Sequence, residues 1–232
     1  MEFFRFVRMM ISLLVLFASM KTKKEISTIL RTVEAHYPDI KTELHYETPF
    51  QLLVAVILSA QTTDKQVNKT TIALFHCVHE AKDVSKLTLK ELENTVRSVN
   101  FYRNKAKFIV GCAEKLVREF DGIIPNDLKI LQTFPGVGIK TAKVVLSVLY
   151  DAPYVGVDTH VHRVMNRIGI VKTKTPEETD RKLDKLLTHE QKMFVHHPLV
   201  LFGRYHCTAR KPKCSSCPVR EWCDYPDKIT LE

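Results

Sequence analysis

The sequence predicts an all-α protein. Three observations carry that prediction. Apolar residues recur at three- and four-residue spacing along most of the chain. No stretch alternates as a strand would. Glycine is scarce, with 7 in 232 residues, or about 3% against a usual ~7%. A hydrophobic content of 45% supplies a proper core and argues against disorder. The length suffices for one large domain or two small ones. A net charge of +9 favours a polyanionic partner, either nucleic acid or an anionic membrane surface.

The first 19 residues differ in character from the rest. Phenylalanines surround Arg5 and Arg8, and Met9 to Ala18 is almost wholly apolar. That run is too short for a bilayer span, which needs about 20 residues, and has the length of a signal-peptide core. We read residues 1–19 as an extension upstream of the natural start, with Met20 the beginning. A membrane anchor is the rival reading.

Helices are expected in order. Ile26, Ile29, Leu30 and Val33 form one face of a helix over Glu25–His36, stopped by Pro38. Thr48-Pro49 opens a second helix with proline in its first turn, and Phe50–Leu58 is apolar nearly all round, so this helix is expected to be central. Ser59 to Thr63 leads to Asp64 as an N-cap, followed by a helix to His79 with Val67, Ile72, Leu74 and Phe75 inward. Thr88 and Glu91 make a capping box. The Val99–Ala106 turn is rich in aromatics and positive charge. Lys105–Phe120 is a long helix burying Phe108, Ile109, Cys112, Leu116 and Val117, and ending at Asp121-Gly122.

A short apolar turn, Leu128–Phe134, then runs into the corner Pro135-Gly136-Val137-Gly138. The helix that leaves it carries Val144, Val145, Val148 and Leu149 at helical spacing. Glycines let the backbone lie close to a partner, and free amides at a helix start attract an anion. Lys140 lies two residues beyond Gly138, and a neutral lysine amine can attack an aldehyde carbon to form a Schiff base. Asp158 precedes a helical run and suits an N-cap. Thr175 to Glu178 is another capping box, opening a helix through Leu187, and His189–Tyr205 is the last helix. His196 and His197 are adjacent and point to different helix faces, so packing or capping is favoured over metal binding.

Six cysteines are present. Cys77 and Cys112 sit in helical patterns and read as buried thiols. Cys207, Cys214, Cys217 and Cys223 follow a C-x6-C-x2-C-x5-C spacing. Four thiols that close imply a metal centre or disulfides, and disulfides are disfavoured in a chain that looks cytosolic. Zinc usually takes two short cysteine pairs, and this run has one; four cysteinates also suit a [4Fe–4S] cube. Spacing alone leaves both open.

Together, Phe134 to Ala142 and Val157 to His160 resemble the helix-hairpin-helix DNA glycosylases, over roughly Lys21 to Tyr225. With the cysteine spacing, the resemblance is to the endonuclease III branch, and it implies one [4Fe–4S] cluster on the four cysteines. It maps the catalytic lysine onto Lys140 and the catalytic aspartate onto Asp158. It implies two helical domains: a six-helix domain over 42–151, with the hairpin at 128–150, and a cluster domain made of 20–41 and 152–232, with the iron–sulfur loop at 207–223. The partner implied is double-stranded DNA with damaged pyrimidines or abasic sites, bound by a cytoplasmic, monomeric enzyme and no membrane. Gly136, Val137 and Gly138 would grip phosphates. Gln61 and Phe101 would enter the base stack, and Arg210, Lys211 and Lys213 would meet the DNA backbone. Asp64, Thr159 and His160 would line the pocket. The chain departs from the family pattern twice. Ile139 stands where a basic residue is usual. Asn100-Phe101 replaces glycine-leucine, with Asn100 expected to tolerate a left-handed backbone. An adenine-mispair glycosylase and a non-catalytic iron–sulfur DNA-binding module are the alternatives.

Overall fold

A computed structural model describes residues 21–38 and 42–229. The expected extension at 1–19 and the junction at 41 lie outside the described residues. Ten α-helices occur among the described residues, and no strand. They are α1 (Lys23–His36), α2 (Pro49–Ser59), α3 (Asp64–Phe75), α4 (Leu89–Thr95), α5 (Tyr102–Phe120), α6 (Leu128–Leu131), α7 (Ile139–Tyr150), α8 (Thr159–Ile168), α9 (Pro176–Leu186) and α10 (His189–Leu201). A π-helical turn, Phe202–His206, continues α10 towards the cysteines. Among the described residues no helix is long and apolar enough to cross a membrane.

Local chemistry sets most helix starts. Thr22 and Glu25 form a reciprocal capping box at α1, and Thr88 and Glu91 form another at α4. Thr48 caps α2 with Pro49 in its first turn. At α3 the cap is Thr63, whose hydroxyl accepts from the Gln66 amide; Asp64 is the first helical residue, not the cap expected for it. Thr175 accepts from the Glu178 amide, but the Glu178 carboxylate turns to the Lys174 amide instead of closing the box.

The chain divides into two units. One comprises Asp39–Val157 and Leu187–His197. Its centre is α2, in which every residue from Phe50 to Leu58 is buried. A helix apolar on nearly every side must be covered all round, and α3, α5 and α7 pack around it. Each large side chain so buried contributes about 1.5–3 kcal/mol. Two residues expected inside lie at the edge: Ile72 is 63% exposed and Val117 is 48% exposed. Helix α3 also stops at Phe75, short of His79, and Cys77 is exposed instead of buried. The other unit comprises residues up to Pro38, Asp158–Leu186, and Pro198 onward. Its core gathers Ile29, Leu30 and Val33 of α1, Val161, Val164 and Met165 of α8, Leu183 of α9 and Phe202.

Candidate functional site

In the first unit, α5 is the bed for the hairpin corner. The Cys112 thiol donates to the Pro135 carbonyl at 3.2 Å. Gly136 has φ +72°, a left-handed backbone that glycine adopts freely, and lies on the ring of Phe108. Gly138 is the N-cap of α7 and supplies no side-chain cap. Open space lies where its Cβ would be, and the residue is exposed. The Val137 amide is already committed to the Phe134 carbonyl, and its side chain is buried. The Gly136 and Gly138 amides have no such acceptor among the described residues. Lys140 is exposed in the first turn of α7, and Ile139 beside it is 48% exposed.

One turn on from Lys140, Val144 packs against Gly156, where a Cβ would come within 2.6 Å of Val144 Cγ2 and 3.2 Å of His196 Cε1. His196 is buried with its Nδ1 lacking a hydrogen-bond partner. Burial pushes its pKa down to about 3, and the Lys140 charge adds to the effect. The His196 and His197 rings stay in contact, 4.6 Å apart, instead of diverging.

The same unit joins the Gln61 and Phe101 loops. Both residues are exposed, with left-handed backbones at φ 55° and 56°. That conformation costs a non-glycine residue roughly 1–2 kcal/mol, and surrounding contacts must hold it. The left-handed residue is thus Phe101, not Asn100 as expected. Asn100 instead donates its side-chain amide to the Gln61 carbonyl. Lys105 is 4% exposed and donates to Leu58 O at 2.8 Å, Ala60 O at 2.6 Å and Thr62 Oγ1 at 3.2 Å.

In the second unit, Asp158 caps α8 as expected. Its Oδ1 accepts from the His160 amide at 2.9 Å and the Val161 amide at 2.8 Å, which leaves Oδ2 for another partner. Thr159 is exposed and His160 half-buried. Burial lowers the His160 pKa, and the Asp158 carboxylate opposes that shift. Further along α8, Arg163 donates to the Cys207 and Gly203 carbonyls. Arg167 donates to Cys207 Sγ at 3.6 Å and Thr208 O at 2.7 Å, and its guanidinium stacks on Tyr225.

Cys207, Cys214, Cys217 and Cys223 line one cavity, closed by Ile168, Phe202 and Val219 among others. Burial pushes the Cys217 thiol up to about 11 and raises those of Cys214 and Cys223, with neighbouring cysteines adding to the effect. Such thiols lose their protons when a metal takes their place. Four cysteines lining one apolar-walled cavity fit a cube in which each iron would take one thiolate. Arg210, Lys211 and Lys213 are exposed on the loop between the first two cysteines.

Residues 54–189 match the HhH-GPD superfamily of base excision DNA repair proteins, and 207–223 match the iron-sulfur binding domain of endonuclease III. Endonuclease III of Rickettsia conorii is 42% identical over 200 residues, covering 86% of this chain and 95% of its own. The Haemophilus influenzae protein of the same name is 41% identical over 210 residues, 90% of this chain and 98% of its own. This chain belongs to the endonuclease III family. A solved endonuclease III trapped as a covalent intermediate with DNA superposes with a TM-score of 0.84 at 40% identity, covering 91% of this chain and all of that one. As a member of this family, the protein is a DNA glycosylase and abasic-site lyase and carries one [4Fe–4S] cluster. Cys207, Cys214, Cys217 and Cys223 would hold it, and four thiolates bound to one group would cross-link their loop.

Several of these residues escaped the sequence reading. Lys105 shares a helical stripe with Ile109, Cys112 and Leu116, so its placement on the buried face was visible; its acceptors, more than 40 residues away, were not. Nothing in the spacing of Arg163 and Arg167 announces the carbonyls they bind.

Proposed function

We propose that the protein removes oxidised pyrimidines from duplex DNA and cuts the strand through a Schiff base on Lys140. The single observation that carries this reading is the hairpin corner: an exposed lysine amine stands in the first helical turn beside a glycine N-cap with open amides. The Gly136 and Gly138 amides hold backbone phosphates, while Gln61 and Phe101 enter the stack and the damaged base turns outward. The Lys140 amine bonds to C1′ of the deoxyribose as the bond to the base breaks. The sugar ring opens and leaves an iminium ion. That cation acidifies the C2′ hydrogen; its removal expels the 3′ phosphate by β-elimination, and water then frees the lysine. Asp158 assists as a carboxylate, activating Lys140 and balancing positive charge on the sugar. Arg210, Lys211 and Lys213 bind phosphates, and Asp64, Thr159 and His160 border the base pocket. The enzyme works as a cytoplasmic monomer on the nucleoid.

Borohydride reduction with thymine-glycol or abasic duplex tests this reading. Wild type forms a stable covalent complex and Lys140→Gln forms none. A Gln variant that still traps would show that another amine is the nucleophile.

A further inference from the structure

The Gln61 and Phe101 loops are separated by 40 residues of sequence but share one hydrogen-bond frame. Asn100 Nδ2 donates to the Gln61 carbonyl at 2.5 Å, and the Asn100 amide donates to Thr62 Oγ1 at 3.3 Å. The buried Lys105 ammonium has three donors and three acceptors: Leu58 O, Ala60 O and Thr62 Oγ1. Leu58 lies in the last turn of α2 and Ala60 is its C-cap. These are carbonyls that the helix itself leaves unsatisfied, at the end where a cation is favoured. Lys105 also begins on the other loop, because its amide donates to the Phe101 carbonyl. Each loop presents an exposed side chain on a left-handed backbone at Gln61 and Phe101, and neither has a glycine to make that conformation easy.

We infer that Asn100 and Lys105 are positioning residues that lock the Gln61 and Phe101 loops into one rigid tool, so that both side chains enter the duplex together. The inference rests on the reading that Gln61 and Phe101 invade the stack. Binding energy is spent on the DNA distortion and not on ordering two separate loops. The charged clamp also explains why a lysine is buried on an otherwise apolar stripe of α5.

The test is single-turnover cutting of a thymine-glycol duplex by the cluster-loaded full chain, with an abasic single-stranded oligonucleotide as control. Asn100→Ala removes one tie through an exposed side chain and leaves the core intact. It is expected to slow duplex cutting about tenfold, the equivalent of about 1.4 kcal/mol, with the single-stranded substrate cut at the wild-type rate. Gln61→Ala and Phe101→Ala should each slow duplex cutting, and the double variant should be little worse than the slower single one. In the Asn100→Ala background the two losses should multiply instead. Normal duplex cutting by Asn100→Ala, beside slow Gln61→Ala and Phe101→Ala variants, would overturn the clamp and leave the stack-invading role standing. Normal cutting by Gln61→Ala and Phe101→Ala would overturn that role and the clamp with it. An Asn100→Ala enzyme equally slow on single-stranded substrate would overturn the clamp as well, because nothing is inserted there.

Discussion

The backbone of Gly136 lies on the ring of Phe108, so that a Cβ built on the glycine would stand 2.3 Å from Phe108 Cδ2. The hairpin corner is therefore shaped by the helix beneath it as much as by its own glycines. Gly136→Ala combines a left-handed strain with this overlap. It is expected to destabilise the protein by about 1–3 kcal/mol, read from the urea midpoint, and to weaken DNA binding. Gly138→Ala meets open space and extended backbone, so its stability should stay near wild type while affinity for duplex falls.

Ile139 offers the complementary experiment. It is half-exposed beside the open amides and carries no charge. Ile139→Lys adds one cation where phosphates are proposed to lie. Duplex affinity should rise, and the slope of log K against log salt should steepen by about 0.9, the value for one more phosphate contact. Fluorescence anisotropy across a salt series measures both quantities.

His196 makes stability depend on pH. Its folded pKa is pushed down to about 3, whereas an unfolded histidine titrates near 6.5. Between those values the unfolded chain binds a proton that the folded chain refuses. Stability is complete above pH ~6.5 and falls as pH drops towards 3, by up to about 1.4 kcal/mol per unit from this residue. Urea melts from pH 7 to pH 4 should show a shallower decline for His196→Gln than for wild type.

The four cysteines predict a visible signature. The loaded protein should be straw-brown, and Cys217→Ala should lose the colour together with iron and sulfide. Because the loop also carries Arg210, Lys211 and Lys213, that variant should bind duplex more weakly and with a shallower salt slope. A Cys217→Ala protein with full colour would show that the other donors suffice.

Legibility followed the distance over which each signal acts. The capping box at Thr88, the Asp158 cap, the hairpin corner and the cysteine spacing are all set within a few residues, and each stands where its pattern places it. Helical spacing told which faces are apolar. It did not tell how far a neighbour extends over them, so Ile72 and Val117 lie exposed at the edge of faces whose centres are buried.

By itself the sequence determined that the chain is helical, where most helices begin, and which amine, carboxylate and four thiols carry the family pattern. Only the tertiary structure decided that Phe101 and not Asn100 takes the left-handed backbone, that Lys105 is buried on the carbonyls of α2, and that His196 is sealed beside the hairpin helix. Caps and periodicity are written by neighbours in the chain. A buried cation or a strained backbone is chosen by partners up to 47 residues away, whose approach no local pattern records.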